Sequence, residues 1–288
     1  VSKARLKARY GPWAVVTGAS DGIGRELARR LARAGLDLVV VARRAEPLER
    51  LGDELRRDSG VEVVVLPADL ARPEGIAAVV AATAGLQVGL LAAAAGFGTS
   101  GPFLDGRLED ELELIDVNCR AVAALAHHFG GRFARQGRGG LVLMSSLVAF
   151  QGVPRAANYA ASKAYVQSLA EGLRAELAPR GVDVVASAPG PVHSGFARRA
   201  GMRMGMASTP EVVARGTIEA LGRRGTVRPG WLSKLLEWAL APLPRWGRVR
   251  MMALVMGGMT RHREGALTGS PPALASGAGQ RGGETTGG

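Results

Sequence analysis

The chain has 288 residues, 47% of them apolar, and its 37 Lys and Arg against 25 Asp and Glu give a formal net charge of +12. That apolar share excludes a wholly disordered chain, and the lone cysteine, Cys119, excludes an internal disulfide and fits a reducing compartment. The positive charge admits nucleic acid or an anionic membrane surface as partner, but arginines dispersed through helical stretches, as in Arg29-Arg30, Arg56-Arg57 and Arg223-Arg224, come with no nucleic-acid-binding motif, so none is expected as partner.

The basic segment 1–10 is followed by no apolar core of signal-peptide length, and no apolar run is long enough to span a bilayer. A cytoplasmic location is the default expectation. Short β-branched runs at 14–17, 38–42, 61–66, 88–92, 141–145 and 182–186 read as strands that are apolar on both faces. Helical stretches at 22–34, 47–58, 73–84, 109–135 and 156–179 separate them, with Gly35, Gly60, Gly85 and Gly181 between a helix and the next strand. This alternation predicts an α/β fold: one doubly wound, Rossmann-type domain with a central parallel sheet flanked by helices. A further helix at 211–221 and a short strand at 226–228 would complete a dinucleotide-binding and catalytic unit over 1–230. Residues 231–263 read as an amphipathic helical extension at 231–240 and 248–256, broken by Pro242 and Pro244. Residues 264–288, rich in Gly, Ser, Thr, Pro and Ala, read as a disordered tail.

The chemistry begins where the first strand ends, in Thr17-Gly18-Ala19-Ser20-Asp21-Gly22-Ile23-Gly24. Glycines let the backbone turn tightly and approach a pyrophosphate, which then lies over the free N–H groups of the following helix. The second strand ends in Ala42 rather than in a carboxylate that would hold a ribose 2′-hydroxyl. Arg43 and Arg44 follow and can pair with a 2′-phosphate. The pattern favours NADP(H), with NAD(H) the alternative. Further on, Tyr159-Ala160-Ala161-Ser162-Lys163 opens a helix, where residues four apart share a face. A cation beside a phenol lowers its proton affinity, so Lys163 is expected to bring Tyr159 toward the neutral range. Ser146 ends the fifth strand thirteen residues before Tyr159. Its neighbour Ser145 would face the other way if the strand continued. The four histidines, His127, His128, His193 and His262, are not at metal-ligand spacing, and no metal site is expected.

The glycine spacing Gly-x-x-x-Gly-x-Gly, Asn118 in the preceding helix, Ser146, Tyr159, Lys163 and the turn Pro189-Gly190-Pro191-Val192 occur in an order that resembles the short-chain dehydrogenase/reductase family over residues 10–194. The resemblance implies a catalytic set of Asn118, Ser146, Tyr159 and Lys163, with Asn118 holding a water that links Lys163 to solvent. It also implies cofactor contacts at Gly18, Ser20, Gly22, Ile23, Gly24, Arg43, Arg44, Asp69, Lys163, Pro189, Gly190 and Val192, with Asp69 at the adenine. The implied activity is reversible hydride transfer to a carbonyl or from a secondary alcohol, in a homodimer or homotetramer. One departure stands out: Ala93-Ala94-Ala95-Gly96 replaces the family's usual Asn-Asn-Ala-Gly, which is expected to weaken rigidity or cofactor affinity without removing the chemistry.

Phe97, Val148, Phe150, Phe196, Met202, Met204 and Met206 would line an apolar pocket, favouring a hydrophobic ketone over a sugar. Trp231, Leu235, Trp238 and Trp246 beside Lys234, Arg245, Arg248 and Arg250 are expected to form a lid or oligomer contact over the substrate cleft, with peripheral membrane contact as the alternative. The competing functional reading is a nonenzymatic dinucleotide-binding scaffold or sensor, which would not need an intact proton relay.

Overall fold

The computed structural model describes residues 3–193, 195, 206–240 and 242–267. Seven parallel strands form one sheet in the order β3-β2-β1-β4-β5-β6-β7. They are β1 (Trp13–Thr17), β2 (Asp37–Ala42), β3 (Val63–Pro67), β4 (Val88–Ala93), β5 (Gly139–Met144), β6 (Val182–Ser187) and β7 (Thr226–Val227). The order reverses between β1 and β4, which places a crevice beyond their carboxyl ends. The apolar runs are continuous because β1 to β6 each feed two cores. In β1, Ala14 and Val16 join one buried cluster and Val15 the other. In β2, Leu38 and Val40 face the first cluster, Val39 and Val41 the second.

Helices α2 (Gly22–Arg33), α3 (Ala45–Ser59) and α8 (Pro210–Ala220) cover the first face; α4 (Pro73–Ala82), α6 (Ala121–Gln136) and α7 (Ala157–Leu177) cover the second. Helix α3 starts two residues before Pro47 because proline is tolerated in a first helical turn. A helix that the sequence did not announce, α1 (Lys3–Tyr10), packs Leu6 and Tyr10 into the first core. The Tyr10 hydroxyl donates to Asp183 Oδ2 at 2.7 Å, and Arg9 pairs with the same carboxylate.

The predicted continuous helix at 109–135 is three pieces. Helix α5 (Leu108–Ile115) passes into a π-helical turn at Asp116–Arg120 before α6 resumes. Nothing in the residue types forbids an ordinary helix there; the wider turn lets Asn118 point fully inward. The C-terminal pair is α9 (Trp231–Leu240) and α10 (Arg245–Leu267). Helix α10 starts before the expected 248 and continues through 264–267. Residues 268–288, the rest of the expected disordered tail, lie outside the described residues. The extension is fastened to the catalytic unit: Ser233, completely buried, accepts the Gly190 N–H at 2.8 Å, and Leu232 and Met256 are buried.

Candidate active site

The crevice is a single cavity of about 920 Å³ running from the glycine turn to α9 and α10. At one end Gly18 has φ +68°, and a Cβ there would lie 2.8 Å from Ala94 O. A Cβ on Gly24 would lie 2.2 Å from Gly18 O. The turn is therefore closed so tightly that only glycine fits, leaving backbone N–H groups at the start of α2 for an anion. Asp21 caps α2 through Oδ1, which accepts the Gly22 N–H at 2.7 Å, while its Oδ2 accepts the Gly195 N–H at 3.1 Å. The same carboxylate thus ties the glycine turn to the segment after β6. Thr17 Oγ1 accepts the Ala95 N–H at 3.0 Å, so the Thr17 hydroxyl at the end of β1 holds the alanine stretch that replaces the usual asparagine pair.

All expected cofactor residues reach this cavity: Gly18, Ser20, Gly22, Ile23, Gly24, Arg43, Arg44, Asp69, Lys163, Pro189, Gly190 and Val192. Arg43 and Arg44 are exposed at the end of β2, and Arg43 Nη1 donates to Glu113 on α5 at 2.7 Å. Asp69 Oδ1 accepts the Ala71 N–H at 3.0 Å and stabilises the bend after β3.

At the centre, Ser146, Tyr159 and Lys163 come together, and all three line the cavity. Strand β5 ends at Met144, so the next two serines diverge. Ser145 Oγ donates to Lys163 O at 3.1 Å and is spent on structure. Ser146 instead hydrogen-bonds the Tyr159 phenol. Its Oγ lies 3.5 Å from Pro189 O, which also accepts the Leu147 N–H at 3.0 Å. These contacts set the serine loop against the Pro189-Gly190 turn.

Asn118 is the one predicted catalytic residue that does not line the cavity; it stands behind the wall. Its Oδ1 accepts the Phe97 N–H at 3.1 Å, and its Nδ2 donates to Phe97 O at 2.9 Å and Ser162 Oγ at 3.0 Å. Ser162 Oγ in turn donates to Tyr159 O at 2.8 Å. Asn118 therefore joins the end of β4 to the turn of α7 that carries the phenol. The approach is close: a Cβ on Gly96 would lie 3.0 Å from Asn118 Oδ1 and 3.3 Å from Lys163 Nζ.

Burial governs the titrations. It lowers the Lys163 ammonium to about 8, opposed by the neighbouring Cys119. It pushes the Tyr159 phenol up to about 12, opposed by the hydrogen bond with Ser146. The expectation that Lys163 lowers the phenol is thus corrected. Lys163 Nζ donates to Met144 O at 2.9 Å and sits 5.8 Å from the tyrosine ring centroid, and desolvation sets the direction of the phenol's shift. A protonated Tyr159 is a proton donor.

The apolar end of the cavity differs from the sequence expectation. Phe97 and Val148 line it, but Phe150 stacks beneath Arg228, 4.4 Å from the guanidinium carbon, and Met206 is exposed away from it. Phe196, Met202 and Met204 lie outside the described residues. Leu236, Met251, Met252, Val255 and Met256 of the two C-terminal helices also line it, as a lid over the cleft requires, together with Gln151. The amphipathic spacing of 231–256 was the signal for this wall; sequence alone did not say which face turns inward. Among the described residues no cluster of metal-ligating side chains occurs.

Residues 12–204 match the short chain dehydrogenase family. The chain is 32% identical to a 7beta-hydroxysteroid dehydrogenase of Clostridium sardiniense over 233 residues, covering 80% of this chain and 89% of that one. Among solved structures, a short-chain dehydrogenase from Sphingobium yanoikuyae in complex with NADPH is 31% identical, with a TM-score of 0.74 over 93% of this chain and 99% of that one. A bulky-bulky ketone specific alcohol dehydrogenase from Comamonas testosteroni is 27% identical, with a TM-score of 0.69 over 93% and 98%. With its glycine turn, Ser146, Tyr159 and Lys163 gathered on one cavity, this chain belongs to the short-chain dehydrogenase/reductase family and is an NAD(P)-dependent oxidoreductase.

Proposed function

We propose that the protein reduces a hydrophobic ketone with NADPH, and that Tyr159 supplies the proton. The observation that carries this reading is the convergence of Ser146, Tyr159 and Lys163 between a dinucleotide cradle and an apolar wall in one cavity, where burial keeps the phenol proton in place. NADPH, when bound, supplies the hydride to the carbonyl carbon. Ser146 hydrogen-bonds the carbonyl oxygen and fixes its orientation. Tyr159 donates its proton to that oxygen as negative charge develops there. Lys163 holds the nicotinamide ribose hydroxyls, and a water beside Asn118 restores the proton through Lys163. Arg43 and Arg44 take the 2′-phosphate, Asp69 the adenine, and Pro189, Gly190 and Val192 the nicotinamide end.

The methionine and leucine wall supports a bulky, largely apolar substrate, a steroid-like or acyl ketone, since flexible thioethers adapt to irregular shapes. The names of the relatives, which include a hydroxysteroid dehydrogenase and a bulky-ketone enzyme, agree in kind. A homodimer or homotetramer in the cytoplasm completes the proposal. No observation favours the nonenzymatic scaffold over a catalyst.

The test is a panel of steroid, acyl and sugar ketones assayed with NADPH and NADH, for the native chain and Tyr159→Phe. The native chain should oxidise NADPH with the apolar ketones. The variant should lose turnover by about 10²- to 10⁴-fold while still binding NADPH. Turnover retained in Tyr159→Phe would remove the central claim.

A further inference from the structure

The helices that wall the cavity carry a second face. On α9, Trp231, Leu235 and Trp238 follow one another at helical spacing, and the two tryptophans are 66% and 77% exposed. On α10, Trp246 and Leu254, two turns apart, are 67% and 73% exposed, with exposed Arg250 between them. The inward faces are used: Leu232 and Ser233 are buried, and Leu236, Met252 and Met256 line the cavity. Met251 and Val255 do both, lining the cavity while remaining exposed, so they stand at its mouth. Large apolar side chains left in water on both helices of one cavity rim call for a partner.

Charge indicates which partner. Between Trp231 and Met256 the exposed cations Lys234, Arg245 and Arg250 accompany a single acid, Glu237. A second copy of the same face would bring like charges together. An anionic lipid surface would neutralise them and accept indole rings at headgroup depth. No helix among the described residues is long and apolar enough to cross a membrane, so the contact would be peripheral.

We infer that the outward faces of α9 and α10 dock the protein on an anionic phospholipid surface, with the mouth of its cavity at the lipid boundary. An apolar ketone dissolved in the lipid would then enter without crossing water. That last consequence rests on the reductase reading; the docking does not.

The experiment is co-sedimentation of the full chain with vesicles of phosphatidylcholine alone or mixed equally with phosphatidylglycerol. Partition onto the mixed vesicles is expected to exceed that onto phosphatidylcholine by about tenfold, and to fall severalfold in about 0.5 M salt. The double variant Trp238→Ser with Trp246→Ser should lose about tenfold in partition. Arg245→Glu with Arg250→Glu should lose the lipid-charge preference. Circular dichroism and NADPH binding of both variants should match the native chain and show that they fold. Absence of binding, equal binding to both vesicles, or folded variants that partition like the native chain would overturn the inference. So would light scattering that shows a dimer separating when the tryptophans are replaced. Vesicle binding by a chain with no ketone turnover would leave the docking standing and sink the reductase reading alone.

Discussion

The ammonium of Lys163 donates to the carbonyl of Met144, the last residue of β5, at 2.9 Å. One hydrogen bond holds a buried cation at the strand end from which the Ser146 loop departs, and its protonation is costly because water is excluded.

That cost has a pH window. The folded chain binds the Lys163 proton less tightly, at about 8 against an ordinary 10.5. Below about pH 8 both states are protonated and the burial penalty is fully present. Between the two values the unfolded chain binds more protons, so stability rises with pH, by at most about 3 kcal/mol. Above about pH 10 the raised Tyr159 acts in the opposite sense, since the folded state then holds the extra proton. Urea midpoints at about pH 7.5 and about pH 9.5 should rise for the native chain relative to Lys163→Met. Parallel behaviour of the two proteins would count against a depressed lysine.

Selection for the 2′-phosphate should divide unequally between the two arginines. Arg44→Ala is expected to raise the NADPH dissociation constant by about tenfold or more and leave NADH binding unchanged. Glu113 competes for Arg43 at 2.7 Å and adds negative charge near the proposed phosphate position. Glu113→Gln should therefore tighten NADPH binding by about two- to fivefold. Nucleotide titrations by fluorescence decide both, and equal effects on NADH would refute the assignment.

Asn118→Ala would leave the Phe97 N–H, the Phe97 carbonyl and the Ser162 hydroxyl without that buried amide. A loss of about 3 kcal/mol in unfolding free energy is expected, with a fall in turnover as the Tyr159 turn loosens. Thermal melts beside steady-state kinetics check this. A fully active, equally stable variant would show that the clamp is dispensable.

Gly24→Ala should weaken nucleotide binding by about 10- to 100-fold, because its methyl group meets Gly18 O at 2.2 Å and must open the turn. Gly85→Ala has nothing within 4 Å of the added carbon and is the matched control, expected to bind normally. Calorimetric titration of the pair measures the difference.

The sequence made the sheet legible because β1, β2 and β4 to β6 serve two cores and carry apolar runs with no polar face. It hid α1, whose only inward side chains are Leu6 and Tyr10 in an otherwise basic segment. Ser146, Tyr159 and Lys163 were readable from their order along the chain, which brings them together at the carboxyl end of β5. The choice of Ser146 over Ser145 came from the family resemblance; the geometry behind it was not readable. It depends on β5 ending at Met144, and nothing in Met144-Ser145-Ser146 marks that end. A lid over the cleft was readable from the amphipathic spacing of the C-terminal segment, but not which residues form its wall: such spacing gives two faces, and only the partner decides which one turns inward.

The π-helical turn at Asp116–Arg120 gives the α5–α6 rod one residue more than its own hydrogen bonding requires. Each residue turns a helix by about 100°, so that surplus acts as a phase adjuster between two outer segments that obey different neighbours. Removing it would leave two good helices and an intact sheet, but it would swing Asn118 out of phase with Phe97. The rod has, in effect, a single keyed joint, cut to admit one amide.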